Sequence, residues 1–247
     1  MAKVYKDIKD NKLEISLNAT ETVTVFVQDD LDIHYDLKDG NYKILIFNDA
    51  GKGITLKETG SISDSEVEID LLELERHGFR QISNIEVGKD SSLTVNTTYL
   101  GVNDKKIDYR LVNKDSGSTI NISNNIVCLD GADFSLNVTG KIVKGAKRSK
   151  CFQKSRCLTF EDPKQAKVLP VLEIDENDVE ASHSLSSGTI DQDVLFYMNS
   201  RGLSKRDALG LLLVSYLMPD EDFYKDFEDG LKIKEIADRK VEKICSM

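Results

Sequence analysis

The sequence predicts a mainly β protein in which a strand-rich body precedes a shorter helical segment. From residue 13 to about 188, the apolar runs are short and rich in Val, Ile and Thr, and some alternate strictly, as in Glu66–Leu71. After Gly188 the pattern changes to helix caps and helical spacing. We therefore expect a β body over residues 1–188, with a lead-in up to Lys12, and a C-terminal helical domain over residues 189–247.

The arrangement of the strands favours a β-helix, although a sandwich and a barrel remain open at this level. The strand-like runs recur at short intervals, without clear hairpin pairs, and are separated by turn formers such as Gly88–Asp90 and Asn113–Gly117. Val, Ile and Leu fill the alternate positions that would face inward. Asn and Thr stand where corners are expected, and both suit side-chain ladders between stacked rungs.

The C-terminal segment carries explicit helix start and stop signals. Asp191 is a candidate N-cap for a first short helix, and Gly202 can end that helix in a left-handed conformation. Ser204 then caps a second helix, with Asp207 in the acidic third position of a capping box. The residues expected on one face of this second helix are Ala208, Leu211, Leu212, Ser215 and Tyr216.

Composition limits the partners and the compartment. The formal net charge of −10 disfavours nucleic acid, because an acidic surface repels phosphate. The sequence offers no apolar stretch of about 20 residues and no signal-peptide pattern, so we expect a cytoplasmic protein without membrane contact. In that compartment Cys128, Cys151, Cys157 and Cys245 should be thiols. No phosphate-binding loop motif occurs, so any ATP dependence must come from a partner.

Three sequence blocks resemble the SufB/SufD family of iron–sulfur cluster assembly scaffolds of the SUF system. They are Gly140–Lys147, Pro170–His183 and Ser187–Leu203, and they follow one another at the family's spacing. The pair Ser182–His183 and the triplet Ser200–Gly202 are closer to SufD than to SufB. The three blocks cover about a third of the chain; upstream, only the succession of strands and turns is similar.

The resemblance implies a fold and a role. The fold would be a right-handed parallel β-helix with a C-terminal α-helical domain. The protein would be a non-catalytic scaffold subunit that pairs through its β-helix with SufB or with a second copy. Its C-terminal helices would bind SufC, an ABC-class ATPase. No cofactor would be bound stably, while an Fe–S cluster would pass transiently through the complex.

The same resemblance nominates site residues. His183 matches the histidine that the family places near the SufB–SufD interface, and neutral imidazole can ligate iron. Cys157 is a second cluster-assembly candidate, because it lies two residues from Ser155, where the SufB pattern has a cysteine. The candidate residues for SufC binding are Phe196, Tyr197, Arg201 and Gly202.

Two departures keep other functions open. Ser184 stands where SufD has glycine, and the chain begins almost directly with strands where SufD proteins carry a long helical domain. A structural β-helix homodimer without a cluster role is therefore one alternative. A carbohydrate-active β-helix enzyme is another, although the sequence shows no cluster of carboxylates or basic residue suited to that chemistry.

Overall fold

The computed structural model describes residues 2–17, 20–159, 163–189, 191–219 and 221–245. Its strands, in chain order, are β1 Ala2–Tyr5, β2 Lys12–Leu17, β3 Glu21–Val27, β4 Leu31–Lys38, β5 Asn41–Asn48, β6 Ile54–Ser63, β7 Glu66–Glu73, β8 Phe79–Val87, β9 Ser92–Gly101, β10 Asp104–Asn113, β11 Thr119–Cys128, β12 Asp133–Ile142, β13 Lys150–Thr159, β14 Gln165–Ile174 and β15 Glu180–Thr189.

The chain alternates between two parallel sheets. The odd-numbered strands form the eight-stranded first sheet, in the order β1-β3-β5-β7-β9-β11-β13-β15. The even-numbered strands form the seven-stranded second sheet, with β2 and β14 at its two ends. Every strand therefore pairs in parallel with the strand two places further along the chain, so that two strands make one rung. This confirms the predicted parallel β-helix and rules out two antiparallel sheets packed face to face.

The rungs widen along the chain. The register pairs Ala2 with Thr22, a repeat of 20 residues, and pairs Asp133 with Gln165, a repeat of 32 residues. The later strands reach 10 residues, and the extra chain length also enters the corners. Residues 2–5 belong to this stack, because β1 pairs with β3. The expected lead-in thus contains a strand, which at four residues is too short for alternation to reveal it.

The inward faces of the two sheets form one apolar core. Alternate residues such as Ile15, Ile33 and Ile44 are fully buried, as the strand period of two requires. The core also contains an ion pair between Lys105 and Glu73, both with completely buried side chains. Lys105 Nζ also donates to the backbone oxygen of Glu75 at 2.8 Å, which helps to offset the desolvation of its charge.

Four helices follow the last strand, and they cover the outer face of the first sheet. They are α1 Gln192–Ser200, α2 Lys205–Leu217, α3 Glu221–Lys225 and α4 Gly230–Cys245. Both predicted caps are confirmed: Asp191 accepts from the Asp193 amide at 2.8 Å, and Ser204 Oγ accepts from the Asp207 amide at 3.1 Å. Gly202 has a φ of +93°, as expected for a helix stop. No described helix is long and apolar enough to cross a bilayer.

The helical layer is held by apolar contacts and by polar ones, among them those of Lys240. Outward-facing residues near the strand ends, such as Phe47 and Leu72, pack against Ile233 and other helix residues. Lys240 of α4 reaches the rung corner, where Nζ lies 2.9 Å from the Asn48 carbonyl oxygen and 2.6 Å from Glu75 Oε1. The helices and the β-helix therefore share a continuous second core.

The buried face of α2 differs from the prediction. Ala208 is buried as expected, but the other fully buried residues are Leu213 and Leu217, while Leu211 is 54 % exposed. The reason is that α2 contacts both the first sheet and α4, so its buried surface is set by two neighbours. A single helical stripe read from the sequence could not anticipate this arrangement.

Candidate functional site: the open last rung

The C-terminal end of the β-helix is open. β14 and β15 stand last in their sheets, so each has one strand edge without a neighbour in the described part of the chain. All ten residues of β15 are exposed, including those in register with buried residues of β13. Leu185, for example, is paired with buried Ser155 yet is 44 % exposed. This rung presents an uncovered end of the interior to solvent.

His183 lies on the inward side of this open rung. It is in register with Gln153 of β13, which is only 3 % exposed and turns into the interior, and residues in register in a parallel sheet point to the same face. His183 itself is exposed. Ser184 is in register with exposed Lys154 and therefore faces outward. The departure from the SufD glycine thus puts no side chain into the interior.

Cys157 lies deeper, at the wall of an end cavity of about 510 Å³. It is 3 % exposed, in register with Ser187, and hydrogen-bonded to the Cys128 thiol on the neighbouring strand. This bond lowers the pKa of Cys157, while the same bond and burial raise that of Cys128 well above its usual range. Burial also raises the pKa of Cys151 to about 12. Of the three buried thiols, Cys157 is the one whose pKa is lowered rather than raised.

The two cluster-assembly candidates do not meet within one chain. Cys157 is in register with Ser187, and His183 is four residues earlier on β15, which separates the two side chains by roughly 13 Å along the strand direction. One metal ion cannot bind both. Across the described residues, no group of three or more His, Cys, Asp and Glu side chains is arranged to hold a metal.

The candidate partner-binding residues lie on α1, beside this rung. Leu195 of α1 is buried in a cluster with Ala208 of α2, against which Leu158 of β13 packs. Phe196 is 75 % and Tyr197 58 % exposed. The Arg201 guanidinium lies over the Tyr197 ring at 5.2 Å. The aromatic pair therefore does not fill a core, and the core role falls to Leu195. Gly202, also exposed, ends the helix.

Sequence reasoning missed Gln153, a buried polar residue just below the rim. β13 places Cys151, Gln153, Ser155 and Cys157 inward in strict alternation. Ser155, which occupies the SufB cysteine position, accepts a hydrogen bond from Asn124 Nδ2 at 3.0 Å. The sequence shows the alternation along β13. It does not show which residue of β15 lies beside each of these residues, because that depends on the register, in which Lys150 pairs with Glu180, 30 residues later. The side chain of Cys245 lies outside the described residues.

Comparison with known proteins decides the family. The family model described as "SUF system FeS cluster assembly, SufBD core domain" matches residues 21–216, which is most of the chain. The chain belongs to the SufBD core family. Its match runs from the early rungs of the β-helix through α2, so the family resemblance extends well beyond the three sequence blocks.

Curated members of the SufBD core family give the same assignment and lie nearer to SufD. Iron-sulfur cluster assembly protein SufD of Bacillus subtilis is 38 % identical over 93 residues, which are 38 % of this chain and 21 % of that protein. The SufBD family protein PH1385 of Pyrococcus horikoshii is 31 % identical over 137 residues, or 54 % of this chain and 30 % of its own length. SufD of Escherichia coli is 34 % identical over 68 residues, which are 28 % of this chain and 16 % of that protein. The matched segments thus span less than a third of each of these relatives.

Proposed function

We propose that this chain is a non-catalytic scaffold subunit of a cytoplasmic iron–sulfur cluster assembly complex. Its open last rung pairs with a SufB-type chain or with a second copy, and its helices bind a SufC-type ATPase. The cluster is cargo that forms and leaves, and no cofactor resides in the chain. The observation that carries the proposal is the uncovered rung with His183 on its inward side.

The last rung has the properties of a protein interface. The ionisable residues of β15 are Glu180 and His183, so its edge carries little charge that would repel another strand. Exposed strand edges with few charges readily accept another strand. Apolar side chains flank the opening, since Leu169, Ile174 and Leu185 are 39–44 % exposed. A partner stacked on this end would pair the free backbone groups and bury these residues together.

Such a partner would also complete the chemistry. Iron is ligated by imidazole nitrogen and by thiolate sulfur. His183 offers one imidazole at the rim, and the roughly 13 Å to Cys157 prevents the two from sharing an ion. Ligands from the facing chain would lie next to His183, so the site would be assembled only when the subunits pair.

The ATPase is proposed to dock on the exposed part of α1 and the start of α2. Phe196 and Tyr197 are large, exposed aromatic side chains, and aromatic residues are enriched at protein interfaces. Lys205 and Arg206, also exposed, provide charge beside them. Because Leu158 of β13 packs against the cluster of Leu195 and Ala208, movement of the docked helices would be transmitted to the rungs at the open end.

The cluster role is tested with His183→Ala. We expect cluster content to fall to background after anaerobic reconstitution of the complex with ferrous iron and sulfide. The chain should remain folded at the assay temperature, because the last rung buries little, and the ATPase affinity should stay unchanged, because His183 lies on β15 and not on the helices. His34→Ala is the matched control, since His34 is an exposed strand histidine on the second sheet. Normal cluster content in His183→Ala would refute the cluster role and leave a structural β-helix dimer.

The docking surface is tested with Phe196→Ala and with charge reversal at Lys205 and Arg206. Each should weaken ATPase binding at least about tenfold, as for a residue near the centre of an interface, without lowering stability. Lys57→Glu on the outer face of the second sheet is the control, because that face lies opposite the helices. Unchanged affinity in all three variants, measured by isothermal titration calorimetry, would place the ATPase elsewhere.

A further inference from the structure

A buried amide oxygen beside His183 lacks a partner. Gln153 is 97 % buried, and its Oε1 has no hydrogen-bond partner among the described residues. Its Nε2 donates to the Val171 carbonyl oxygen of β14 at 3.0 Å. A carbonyl oxygen can only accept a hydrogen bond, so the amide group that faces Val171 must be the NH2, and the Gln153 Oε1 is left unpaired.

The surrounding chain is shaped around this amide. A Cβ built on Gly140 would lie 2.7 Å from Gln153 Nε2 and 2.4 Å from Cys151 Sγ, so a side chain at position 140 would displace both. Gly140 therefore makes the room in which the Gln153 amide sits. Buried polar groups are nearly always paired in native proteins, and an unpaired one calls for an explanation.

His183 is the side chain in register with Gln153 that can supply the missing donor. It is in register with Gln153 on the adjacent strand, both face inward, and neighbouring strands are about 4.8 Å apart. A neutral imidazole has one N–H to donate and one nitrogen to offer as a ligand. Since His183 is exposed, its ring can turn onto the amide without disturbing the core.

We propose that Gln153 is a positioning residue for His183: its Oε1 accepts the imidazole N–H, so that one chosen ring nitrogen is left free to bind iron. The iron-binding part of this inference rests on the proposed function, whereas the hydrogen bond between Gln153 and His183 can be tested independently of it. Histidine ligands commonly donate their second ring nitrogen to a carbonyl or carboxylate, which fixes the tautomer and the ring orientation.

The hydrogen bond is tested by nuclear magnetic resonance on the full chain with ¹⁵N-labelled histidine rings. The sequence has three histidines, so His34 and His77 serve as internal references. We expect a solvent-protected ring N–H signal for His183 in the wild type. The signal should vanish in Gln153→Met and return in Gln153→Glu, which keeps an acceptor oxygen. Ser155→Ala, a change to a buried residue in register with Leu185, should leave it in place.

The outcomes separate this inference from the proposed function. Absence of a protected His183 N–H in the wild type, or its persistence in Gln153→Met, would overturn the positioning role. In the reconstituted complex, Gln153→Met should lower iron affinity about tenfold or more. If the N–H signal behaves as expected but His183→Ala assembles clusters normally, the hydrogen bond stands and the cluster role falls.

Discussion

The two ends of the β-helix are built differently. At the first rung the inward residues Leu13, Ile15 and Leu17 of β2 are no more than 8 % exposed. Tyr5 and Ile8 from the lead-in pack against the same core. At the last rung the inward positions of β15, His183 among them, remain exposed. One end is closed by the chain's own side chains, whereas the other is open to solvent.

This difference in burial predicts that the two ends contribute unequally to stability. The early and middle rungs bury large side chains and an ion pair, so changes there should alter the free energy of unfolding. The last rung buries little in the isolated chain, so changes there should leave folding nearly unaffected and act on assembly. Three predictions test this division, from the largest expected effect to the smallest.

Lys105→Met should cost the most. The substitution leaves the Glu73 carboxylate buried without its cation, and breaking a buried pair in this way costs about 3–5 kcal/mol of unfolding free energy. Lys167→Met in the last rung removes an exposed lysine and should change stability by less than about 0.5 kcal/mol. Urea unfolding followed by circular dichroism measures both. Equal effects would contradict the proposed division.

Shortening one side chain at each end of the β-helix should change stability by smaller, and again unequal, amounts. Ile15→Ala removes a fully buried side chain and should cost about 2–5 kcal/mol. Leu185→Ala, at a position 44 % exposed, should cost under about 1 kcal/mol in the isolated chain. It should instead weaken pairing of the subunits, measured by analytical ultracentrifugation. A large loss of stability from Leu185→Ala would show that the last rung is already packed in the free protein.

The two regions should also respond oppositely to pH. Burial raises the pKa of Asp70, on the outer face of the first sheet, to about 7, so the folded state binds a proton there that the unfolded state has lost. The stabilisation that comes from this bound proton is fully present below the ordinary carboxyl pKa. It is lost as the pH rises from about 4 to about 7, and the loss amounts to about 2–4 kcal/mol of unfolding free energy. Asp70→Asn should flatten the pH profile in this window.

Near the last rung the pH dependence of stability has the opposite sign. The pKa of Glu173 is lowered by its hydrogen bond with Arg110, and that of Glu176 by the Gly145 amide just before β13. Their stabilisation is present above the ordinary glutamate pKa and is lost as the pH falls through the lowered values, below about 4.5. Urea unfolding of Glu173→Gln and Asp70→Asn across pH 3.5–8 separates the two. A common slope in both variants would refute the opposition.

The outline of the fold was accessible from local sequence patterns. The alternating run Glu66–Leu71 is part of a strand, as predicted, because a period of two and β-branched residues constrain such a segment independently of the rest. The caps at Asp191 and Ser204 were also legible, since a cap is formed within one turn of chain. The family blocks added His183 and the α1 aromatics as candidates.

What local patterns could not supply was everything that depends on register. The alternation of Cys151, Gln153, Ser155 and Cys157 says that they share a face, but not that Gln153 stands beside His183, or that Cys157 is roughly 13 Å from it. The exposure of Leu211 likewise depended on a second helix packing against α2.

The sequence by itself indicated a strand-rich body followed by helices, and its resemblance to the SufB/SufD family added the parallel β-helix and the candidate site residues. Only the tertiary structure decided which residues are neighbours and which end stays open. The physical reason is that strand and cap formation are governed by contacts a few residues apart, whereas each rung contact joins residues 20 to 32 apart, as Ala2 to Thr22 and Asp133 to Gln165. Those distances vary from rung to rung, and no local period encodes them.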